Sequence, residues 1–330
     1  AEAVAGRIQD ALRIPFSVEG TEVRLAGSIG IALAPRHGVD PDEIVHAADV
    51  AMYRAKRHTA GVAVYASHAD QRRPERLIMR HQLREGITDG TLEVHYQPQL
   101  GAHGEIVGAE ALVRWRHPER GLLAPNQFLG LAEGTELVCQ LTDAVLAEAL
   151  GNAMRWDARR LGLRVAVNMS ECDLRDPSLA ERIERALHRA GATADVLTLE
   201  VTENALATVP NADSRLDDLR ERGVRVSLDD FGTGFAPIST LRGMPVDELK
   251  IDRSFVRDMA ESERDFSLVR GLIRLGHDLG LRVVAEGVET REVADGLHAL
   301  DCDVLQGFLI GRPAPAGATP LAAARSLERS

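Results

Sequence analysis

Eight short apolar runs alternate with amphipathic segments along most of this 330-residue chain. The runs, rich in Val, Ile and Leu, occupy residues 92–100, 106–115, 165–170, 197–203, 224–231, 248–255, 283–289 and 304–310. Segments with helical periodicity lie between most of them, at residues 136–159, 178–190, 212–222, 263–279 and 291–300. Near-continuous apolar strands alternating with helices predict an α/β protein with a covered parallel sheet. Eight such strands over about 240 residues match a closed (β/α)8, TIM-like barrel.

The first two strands are joined differently from the others. Their connection, through His103 and Gly104, is too short for a crossover helix, so this pair is expected to be antiparallel. Glycine closes several of the predicted helices, with Gly191, Gly223 and Gly280 as candidates for the left-handed residue after the helix end. The sequence therefore predicts a barrel with an antiparallel first strand.

The chain before the barrel is predicted to form a small α+β unit. It contains a helix over residues 1–12, a hairpin around Gly20, a strand over 28–33 and a second helix over 41–56. Residues on one face of that second helix are Ile44, Ala47, Ala48, Ala51 and Met52. The predicted organisation is a first unit at 1–66, a polar linker at 67–76, the barrel at 77–316 and a tail at 317–330.

Charge and cysteine content limit the function and the location. The net charge is −11, which disfavours general nucleic-acid binding, although bound metal cations would let an acidic protein hold a phosphate-bearing small molecule. The three cysteines are widely spaced and show neither a disulfide framework nor a zinc pattern, so a reducing cytoplasm is expected. No membrane segment or signal peptide is found. Because the chain opens with Ala1, we expect a piece of a longer protein, with upstream segments that could attach it to a membrane.

Polar side chains follow or end most of the apolar runs. They are Glu110, Asn168, Glu200, Asp229, Asp230, Lys250, Glu286 and Gln306. Because the carboxyl ends of barrel strands meet on one face, where barrel enzymes build their active sites, these side chains are expected to converge.

Each residue also has a simpler interpretation. Glu110 could pair with Arg114 at the rim, and Asn168 could cap a turn. The two aspartates could belong to a turn or a helix N-terminus, and Lys250 could pair with Asp252. Glu286 and Gln306, each followed by a glycine, could be loop residues. Taken together, however, these interpretations leave seven strands directing polar groups into one cavity without a reason.

The convergent set favours metal-dependent chemistry on a phosphodiester. Carboxylates with one amide oxygen suit Mg²⁺ or Mn²⁺ rather than zinc, and adjacent aspartates are typical of two-metal sites. A lysine among them can orient water or stabilise charge in the transition state. The glycine-rich loop Gly232-Thr233-Gly234 lacks the lysine of a nucleotide P-loop.

An ordered series of motifs resembles the EAL domain family. The motifs are Tyr96-Gln97-Pro98, Glu110-Ala111-Leu112, Val167-Asn168-Met169-Ser170, Leu199-Glu200-Val201-Thr202-Glu203, Asp229-Asp230-Phe231-Gly232-Thr233-Gly234, Leu249-Lys250-Ile251-Asp252, Ala285-Glu286-Gly287-Val288-Glu289 and Gln306-Gly307. The resemblance covers residues 77–313, and the ordered series is far more specific than any one motif. The resemblance implies a cyclic di-GMP phosphodiesterase that forms linear pGpG with two Mg²⁺ or Mn²⁺ ions, and a homodimer formed through this domain.

The resemblance also implies a role for each site residue. The implied metal ligands are Glu110, Asn168, Glu200, Asp229 and Asp230, with Asp229 bridging the two ions. Asp230 would bind the second ion, helped by Glu286 through water. Lys250 would position the attacking water with support from Gln306, while Glu203 would hold the loop after Asp230. The implied substrate contacts are Gln97, Leu112, Arg114, Asp252, Glu289 and Pro313, with Arg114 at a phosphate.

The first unit resembles the C-terminal half of a GGDEF diguanylate cyclase domain. The motifs are Ser28-Ile29-Gly30-Ile31-Ala32 and Ala48-Asp49-Val50-Ala51-Met52-Tyr53-Arg54-Ala55-Lys56. The Gly-Gly-Asp-Glu-Phe motif itself is absent, so this part of the chain is not expected to be a cyclase.

Two segments depart from the EAL pattern. Phe235-Ala236-Pro237 stands where the family has an aromatic residue and two serines, and residues 132–136 also differ. Neither departure removes an implied metal ligand, so an enzyme is favoured. The alternatives are a weak or inactive receptor for cyclic di-GMP and a dimeric scaffold that only transmits signals.

Overall fold

The computed structural model describes residues 1–13, 16–18, 21–23, 27–35, 37, 40–57, 61–65, 74–232, 241, 243–319 and 321. The chain divides into two compact units, Ala1–His81 and Gln82–Ser330. Within the described residues, no helix combines the length and the apolar character needed to cross a bilayer.

The first unit contains the predicted helices and strands. Helix α1 (Glu2–Arg13) precedes an antiparallel hairpin of β1 (Phe16–Val18) and β2 (Thr21–Val23), whose turn lies outside the described residues. Strands β3 (Ile29–Ile31) and β4 (Val62–Val64) are parallel neighbours. Helix α2, Pro41–Arg57, connects them in the chain.

Helix α2 lies unusually close to strand β3. A Cβ atom on Gly30 would lie 2.0 Å from the carbonyl oxygen of Ala48, so only glycine fits at that position. Ala47 and Ala51 are buried on the facing side of the helix, but Met52 is 41% exposed. The backbone N atom of Met52 would lie 2.3 Å from the same Cβ position, so the backbone of Met52 also lies on the side of the helix that faces β3.

The boundary between the units falls within a helix. Helix α3 (Pro74–Thr88) begins inside the predicted linker and continues past His81, where the first compact unit ends. Residues 66–73 lie outside the described residues. The predicted boundaries at 66, 76 and 316 therefore stay predictions.

In the second unit, the described residues form ten strands, β5 to β14, and eight of these strands make a closed barrel. Its strands are β5 (Leu92–Gly101), β6 (Ile106–His117), β7 (Gly121–Leu123), β8 (Arg164–Asn168), β9 (Leu197–Thr202), β10 (Arg225–Phe231), β11 (Glu248–Ile251), β12 (Arg282–Ala285), β13 (Val304–Gln306) and β14 (Ala314–Pro315). Around the barrel the strands follow the order β5, β6, β8, β9, β10, β11, β12 and β13, and β13 pairs again with β5. Strand β5 is antiparallel to both β6 and β13, and the other barrel neighbours are parallel. The predicted barrel and its antiparallel first strand are confirmed.

Two short strands were not predicted. Strand β7 pairs with the end of β6, and β14 pairs with β5. Both contain only two or three residues, which is too short for a periodic pattern to emerge from the sequence.

Helices connect most of the parallel strands. They are α4 (Pro125–Ala132), α5 (Leu137–Arg155), α6 (Ala158–Leu161), α7 (Glu171–Arg175), α8 (Leu179–Ala190), α9 (Glu203–Thr208), α10 (Ala212–Glu221), α11 (Arg253–Val256), α12 (Glu263–Asp278) and α13 (Arg291–Ala299). The single helix predicted over 136–159 is divided into α5 and α6, because Asp157 adopts a positive φ of 59°. The three glycines predicted to follow helix ends have φ values of +67° at Gly191, +90° at Gly223 and +75° at Gly280.

Alternation along the strands separates the apolar core from the barrel interior. Successive side chains of a strand point to opposite faces, so Leu199 and Val201 face the surrounding helices while Glu200 faces the barrel axis. Both apolar residues are fully buried. The same alternation places Leu249 and Ile251 in the core and Lys250 inside the barrel. The polar positions identified from the sequence are therefore interior positions of the barrel.

Two of the three cysteines form a disulfide bond that the sequence did not predict. Cys139, near the start of α5, forms a disulfide with Cys172 of α7, with Cα atoms 6.1 Å apart. The expectation of unpaired cysteines is therefore corrected. The two residues are 33 positions apart, and only the return of the chain through β8 brings α7 beside the start of α5. Cys302 is a buried free thiol whose pKa is raised to about 12 by burial.

Candidate active site

The polar strand-end residues meet at the carboxyl end of the barrel. Asn168 and Gln306 are the last residues of β8 and β13, and Glu286 directly follows β12. Glu110 lies in the middle of β6, but β6 extends beyond the barrel, and its neighbour Ala111 pairs with Val167 near the end of β8. Glu110 therefore reaches the same level as the strand-end residues.

Lys250 lies at the centre of the cluster. Its Nζ atom is 2.6 Å from Glu286 Oε1, 2.9 Å from Glu200 Oε1, 3.1 Å from Asp229 Oδ1 and 3.7 Å from Glu110 Oε2. These four acids come from β6, β9, β10 and the end of β12, so with Lys250 of β11 the cluster joins five of the eight barrel strands.

Lys250 is fully buried and remains charged. Burial opposes its positive charge, but the carboxylates, first of all Asp229 and Glu110, outweigh burial and raise the pKa of the ammonium group well above its usual value. A buried cation with so many anionic neighbours acts as a hydrogen-bond donor and not as a base. The simpler interpretation, in which Lys250 pairs with Asp252, is wrong: Asp252 Oδ1 instead accepts from the backbone N–H of Ser254 and caps α11.

Two amides hold the carboxylate of Glu110. Asn168 Nδ2 donates to Glu110 Oε1 at 2.8 Å, and Gln306 Nε2 donates to Glu110 Oε2 at 2.6 Å. Burial raises the pKa of Glu110, but Lys250 and the two amide donors outweigh burial, and the net pKa is lowered. Glu110 is therefore an anion, and the amide oxygen of Asn168 is left to face a ligand.

The pKa of Glu200 is shifted in the opposite direction from that of Glu110. Burial and the like charge of Glu110 raise its pKa well above the usual range, with Lys250 opposing them only in part. Apart from the Lys250 ammonium group, no hydrogen-bond donor among the described residues reaches either Glu200 oxygen or Asp229 Oδ1. One ammonium group shared among four acids leaves these buried oxygens short of donors, which is costly unless a further cation satisfies them.

A second group of acids lies beside the first. Asp229, Asp230 and Glu286 each place one carboxylate oxygen within 4.8 Å of the others. Burial and the charge of Asp229 raise the pKa of Asp230 to about 6. Burial raises the pKa of Glu286 to about 7, although Lys250 opposes it. The oxygen-only donor set and its unsatisfied buried atoms fit a hard divalent cation such as Mg²⁺ or Mn²⁺.

Glu203 supports the backbone that follows the two aspartates. It is buried at the start of α9, and its Oε2 accepts from the backbone N–H of Gly232 at 3.4 Å. Asp230 has a φ of 54° and Gly232 a φ of +93°, so the chain turns sharply after β10. The contact agrees with the loop-holding role that the family resemblance implies. The departure at 235–237 lies outside the described residues.

Three of the residues implied to contact the substrate lie on strands β5 and β6. Gln97 joins the amide network, since its Oε1 accepts from Gln306 Nε2 at 3.3 Å and its Nε2 donates to Gly311 O at 3.2 Å. Leu112 and Arg114 continue the face of β6 that carries Glu110, and burial lowers the pKa of the half-buried Arg114 guanidinium.

The other implied substrate residues lie at the edge of the site. Glu289 is exposed and Pro313 is partly buried, and neither forms a hydrogen bond or ion pair within the described part of the chain. Their substrate roles, and that of the helix-capping Asp252, stay predictions.

Gln99 is a member of the network that the sequence analysis missed. It is buried in β5, and its Nε2 donates to Gln306 Oε1 at 2.9 Å. The alternation of β5 could have identified it, because Gln99 lies two residues after Gln97 and therefore on the same face.

The EAL domain family model matches residues 80–313, most of the second unit. The chain belongs to the EAL domain family. Residues 1–61 match the family model described as diguanylate cyclase, GGDEF domain. The barrel, the ligand-type side chains and the N-terminal unit thus agree with the two resemblances found in the sequence.

Named relatives of this EAL domain chain include signalling proteins. It is 39% identical over 322 residues to the bifunctional diguanylate cyclase/cyclic di-GMP phosphodiesterase MucR of Pseudomonas aeruginosa, covering 96% of this chain and 47% of MucR. It is 37% identical over 317 residues to the cyclic di-GMP phosphodiesterase PdeR of Escherichia coli, covering 96% and 48%. The chain thus spans about half the length of these curated relatives.

A solved structure supports the same assignment. The structure of PaMucR phosphodiesterase in complex with c-di-GMP is 40% identical in sequence. The match has a TM-score of 0.68 and covers 72% of this chain and 98% of that one.

Proposed function

We propose that this chain hydrolyses cyclic di-GMP to linear pGpG with two divalent cations, Mg²⁺ or Mn²⁺. The observation that carries the proposal is the position of Lys250, within 3.7 Å of four carboxylates in an otherwise oxygen-only donor set. The choice of substrate is supported by the relatives named as cyclic di-GMP phosphodiesterases and by the PaMucR complex.

In this proposal the acids divide into two ligand groups. Glu110, Asn168, Glu200 and Asp229 would hold one cation, and Asp230 and Glu286 would hold the second together with Asp229, which the two groups share. When bound, the cations would polarise the phosphodiester and lower the pKa of the attacking water. The amide donors of Asn168 and Gln306 fix the orientation of the Glu110 carboxylate.

Lys250 orients the nucleophilic water and does not deprotonate it. Its raised pKa keeps the ammonium group protonated. Its three N–H donors face carboxylates in this structure, and one of them would turn to the water once cations bind those acids, holding the water in line with the scissile bond and offsetting charge on the phosphoryl oxygens. Gln306 fixes the neighbouring carboxylate, and Arg114, with Leu112 beside it, binds the substrate at the rim. Gln97, Asp252, Glu289 and Pro313 complete the proposed substrate surface.

Chromatography of cyclic di-GMP after incubation with the protein tests this proposal. With Mg²⁺ or Mn²⁺, pGpG should accumulate, and EDTA should prevent it. The variant Asp229→Asn should bind substrate but form no product, because it removes the bridging ligand. Normal turnover by that variant would show that the ligand assignment is wrong.

A receptor that binds cyclic di-GMP without cleaving it is the second candidate. The observation in its favour is Ala236-Pro237, where proline removes a backbone donor from the loop after Asp230. Tight binding without pGpG, at measured metal occupancy, would establish the receptor and exclude the enzyme.

The proposal extends to assembly and location. A homodimer through the EAL domain is expected from the family resemblance. The cytoplasmic location was predicted partly from unpaired cysteines, and the Cys139–Cys172 disulfide removes that support, so the location now depends on the substrate alone.

A further inference from the structure

Gln99 belongs to a layer of amides beneath the proposed metal ligands. Strand pairing sets Gln99 of β5 directly opposite Gln306 of β13. On the other side of β5, Gln97 is directly opposite Glu110 of β6. Three strands thereby bring four side chains into one hydrogen-bonded group, and all four are at least nine-tenths buried.

The amide of Gln306 uses all of its polar atoms within this group. Its Nε2 donates to Glu110 Oε2 at 2.6 Å and to Gln97 Oε1 at 3.3 Å, which accounts for both N–H bonds. Its Oε1 accepts from Gln99 Nε2 at 2.9 Å. Gln99 therefore satisfies the one atom of the amide that points away from the cluster.

Rotation of the Gln306 amide by half a turn would reverse these contacts. Its oxygen would then face the carboxylate of Glu110, and its N–H bonds would face the donor on Gln99. Because the oxygen would also face Gln97 Oε1, three repulsive contacts would replace three attractive ones in a buried site, where unpaired polar atoms are most costly. The donor on Gln99 consequently selects the orientation in which Gln306 can hold Glu110.

We propose that Gln99 is a positioning residue that acts on Glu110 through Gln306 and so sets the affinity of the first cation site. The inference rests on the proposed function only in taking Glu110 as a cation ligand. Residues that orient a ligand through a hydrogen bond commonly change metal affinity or activity by about 10- to 100-fold when they are lost.

A space-filling role for Gln99 makes a different prediction. Gln99 faces Gly108 across the β5–β6 pair, and a Cβ atom on that glycine would lie 3.2 Å from Gln99 Oε1. If Gln99 only fills this space, the substitution Gln99→Leu should leave the cation site unchanged, since leucine has a similar bulk without a donor.

A double-mutant cycle with Mn²⁺ as the probe separates the two roles. Mn²⁺ affinity is measured by calorimetric titration for wild type, Gln99→Leu, Gln306→Leu and the double variant, because a cycle isolates the coupling between two side chains. We expect Gln99→Leu alone to weaken Mn²⁺ binding by about tenfold. In the Gln306→Leu background the same change should have no further effect. Hydrolysis lost at low Mn²⁺ should return when Mn²⁺ is saturating.

Gln82→Leu is the matched control. The Gln82 side chain is hydrogen-bonded to His117 outside the carboxylate cluster, with Gln82 Oε1 3.1 Å from His117 Nε2. It should leave Mn²⁺ affinity as in the wild type. Wild-type affinity in Gln99→Leu, or an equal loss in both backgrounds, would overturn the positioning role. A wild-type protein that binds Mn²⁺ but forms no pGpG would refute the proposed function and leave the Gln99 coupling intact.

Discussion

At the residue scale, Lys250 and the acids around it determine the chemistry of the site. One buried ammonium group faces Glu110, Glu200, Asp229 and Glu286, so without cations the cluster has more negative than positive groups. Removal of the lysine and removal of one acid should therefore have opposite effects on stability.

The substitution Lys250→Met should abolish hydrolysis and destabilise the metal-free protein. Breaking a buried ion pair by removing one partner leaves an uncompensated charge and costs about 3–5 kcal/mol in the free energy of unfolding. Urea denaturation in EDTA measures the change. Unchanged stability would mean that the acids are protonated and do not need the lysine.

The substitution Asp229→Asn should have the opposite effect in the same assay. It removes one carboxylate from a crowded set, so the free energy of unfolding in EDTA should stay equal or rise, because repulsion between like charges falls. The variant should nevertheless form no pGpG. A large loss of stability would identify Asp229 as a required partner of Lys250 rather than as a cation ligand.

Cation affinity should depend on pH. The pKa values of about 6 for Asp230 and about 7 for Glu286 mean that both acids take up protons as the pH falls from 8 to 5.5, and those protons compete with Mn²⁺. Apparent Mn²⁺ affinity should therefore fall towards acid, by up to about tenfold per pH unit for each proton displaced. Glu286→Gln should reduce this slope. Titrations at several pH values check both expectations, and a flat profile would contradict them.

The same pKa shift affects the metal-free fold. Because the pKa of Glu286 is raised from 4.5 to about 7, the folded state binds more protons than the unfolded state between these values. The contribution of Glu286 to stability is therefore greatest below pH 4.5 and is lost as the pH rises through about 7.

At the scale of elements, the loops after β12 and β13 contact each other through their backbones. Val288 donates its N–H to Gln306 O at 3.0 Å, and Leu309 donates to Val288 O at 3.0 Å. A Cβ atom on Gly307 would lie 2.1 Å from Val288 O. This close contact supports Glu286 and Gln306, which lie at the start of the two loops.

The substitution Gly307→Ala should therefore destabilise the barrel by about 1–3 kcal/mol, the usual cost of forcing atoms into a packed region. Gly271→Ala is the matched control, because Gly271 lies in helix α12 with open space where the Cβ would stand. That change should stabilise the protein by about 0.5–1 kcal/mol. Equal unfolding midpoints for the two variants would contradict the contact.

At the scale of the whole molecule, the two compact units have separate cores. The second unit contains every residue of the proposed site, and helix α3 crosses the boundary at His81. A fragment of residues 74–330, which preserves all of α3, should unfold in one cooperative transition and retain metal-dependent hydrolysis. Circular dichroism and the pGpG assay check this. Loss of cooperative unfolding would show that the barrel requires the first unit.

The strands and the polar interior were predictable because both depend on local patterns. Apolar runs and period-two alternation follow from strand geometry, and the same patterns indicate which polar residues lie at the strand ends. The break at Asp157 and the short strands β7 and β14 were not predictable. Each depends on packing between segments that are distant in the chain or on a single backbone angle.

By itself, the sequence determined the order of the elements, the barrel and the types of side chain that line its carboxyl end. Only the tertiary structure decided which of those side chains meet. Lys250 contacts acids on three strands and directly after a fourth, Gln99 fixes Gln306 across the closure of the barrel, and Cys139 joins Cys172. The reason is physical: alternation within a strand sets which face a side chain occupies, whereas register, shear and closure between strands set its neighbours.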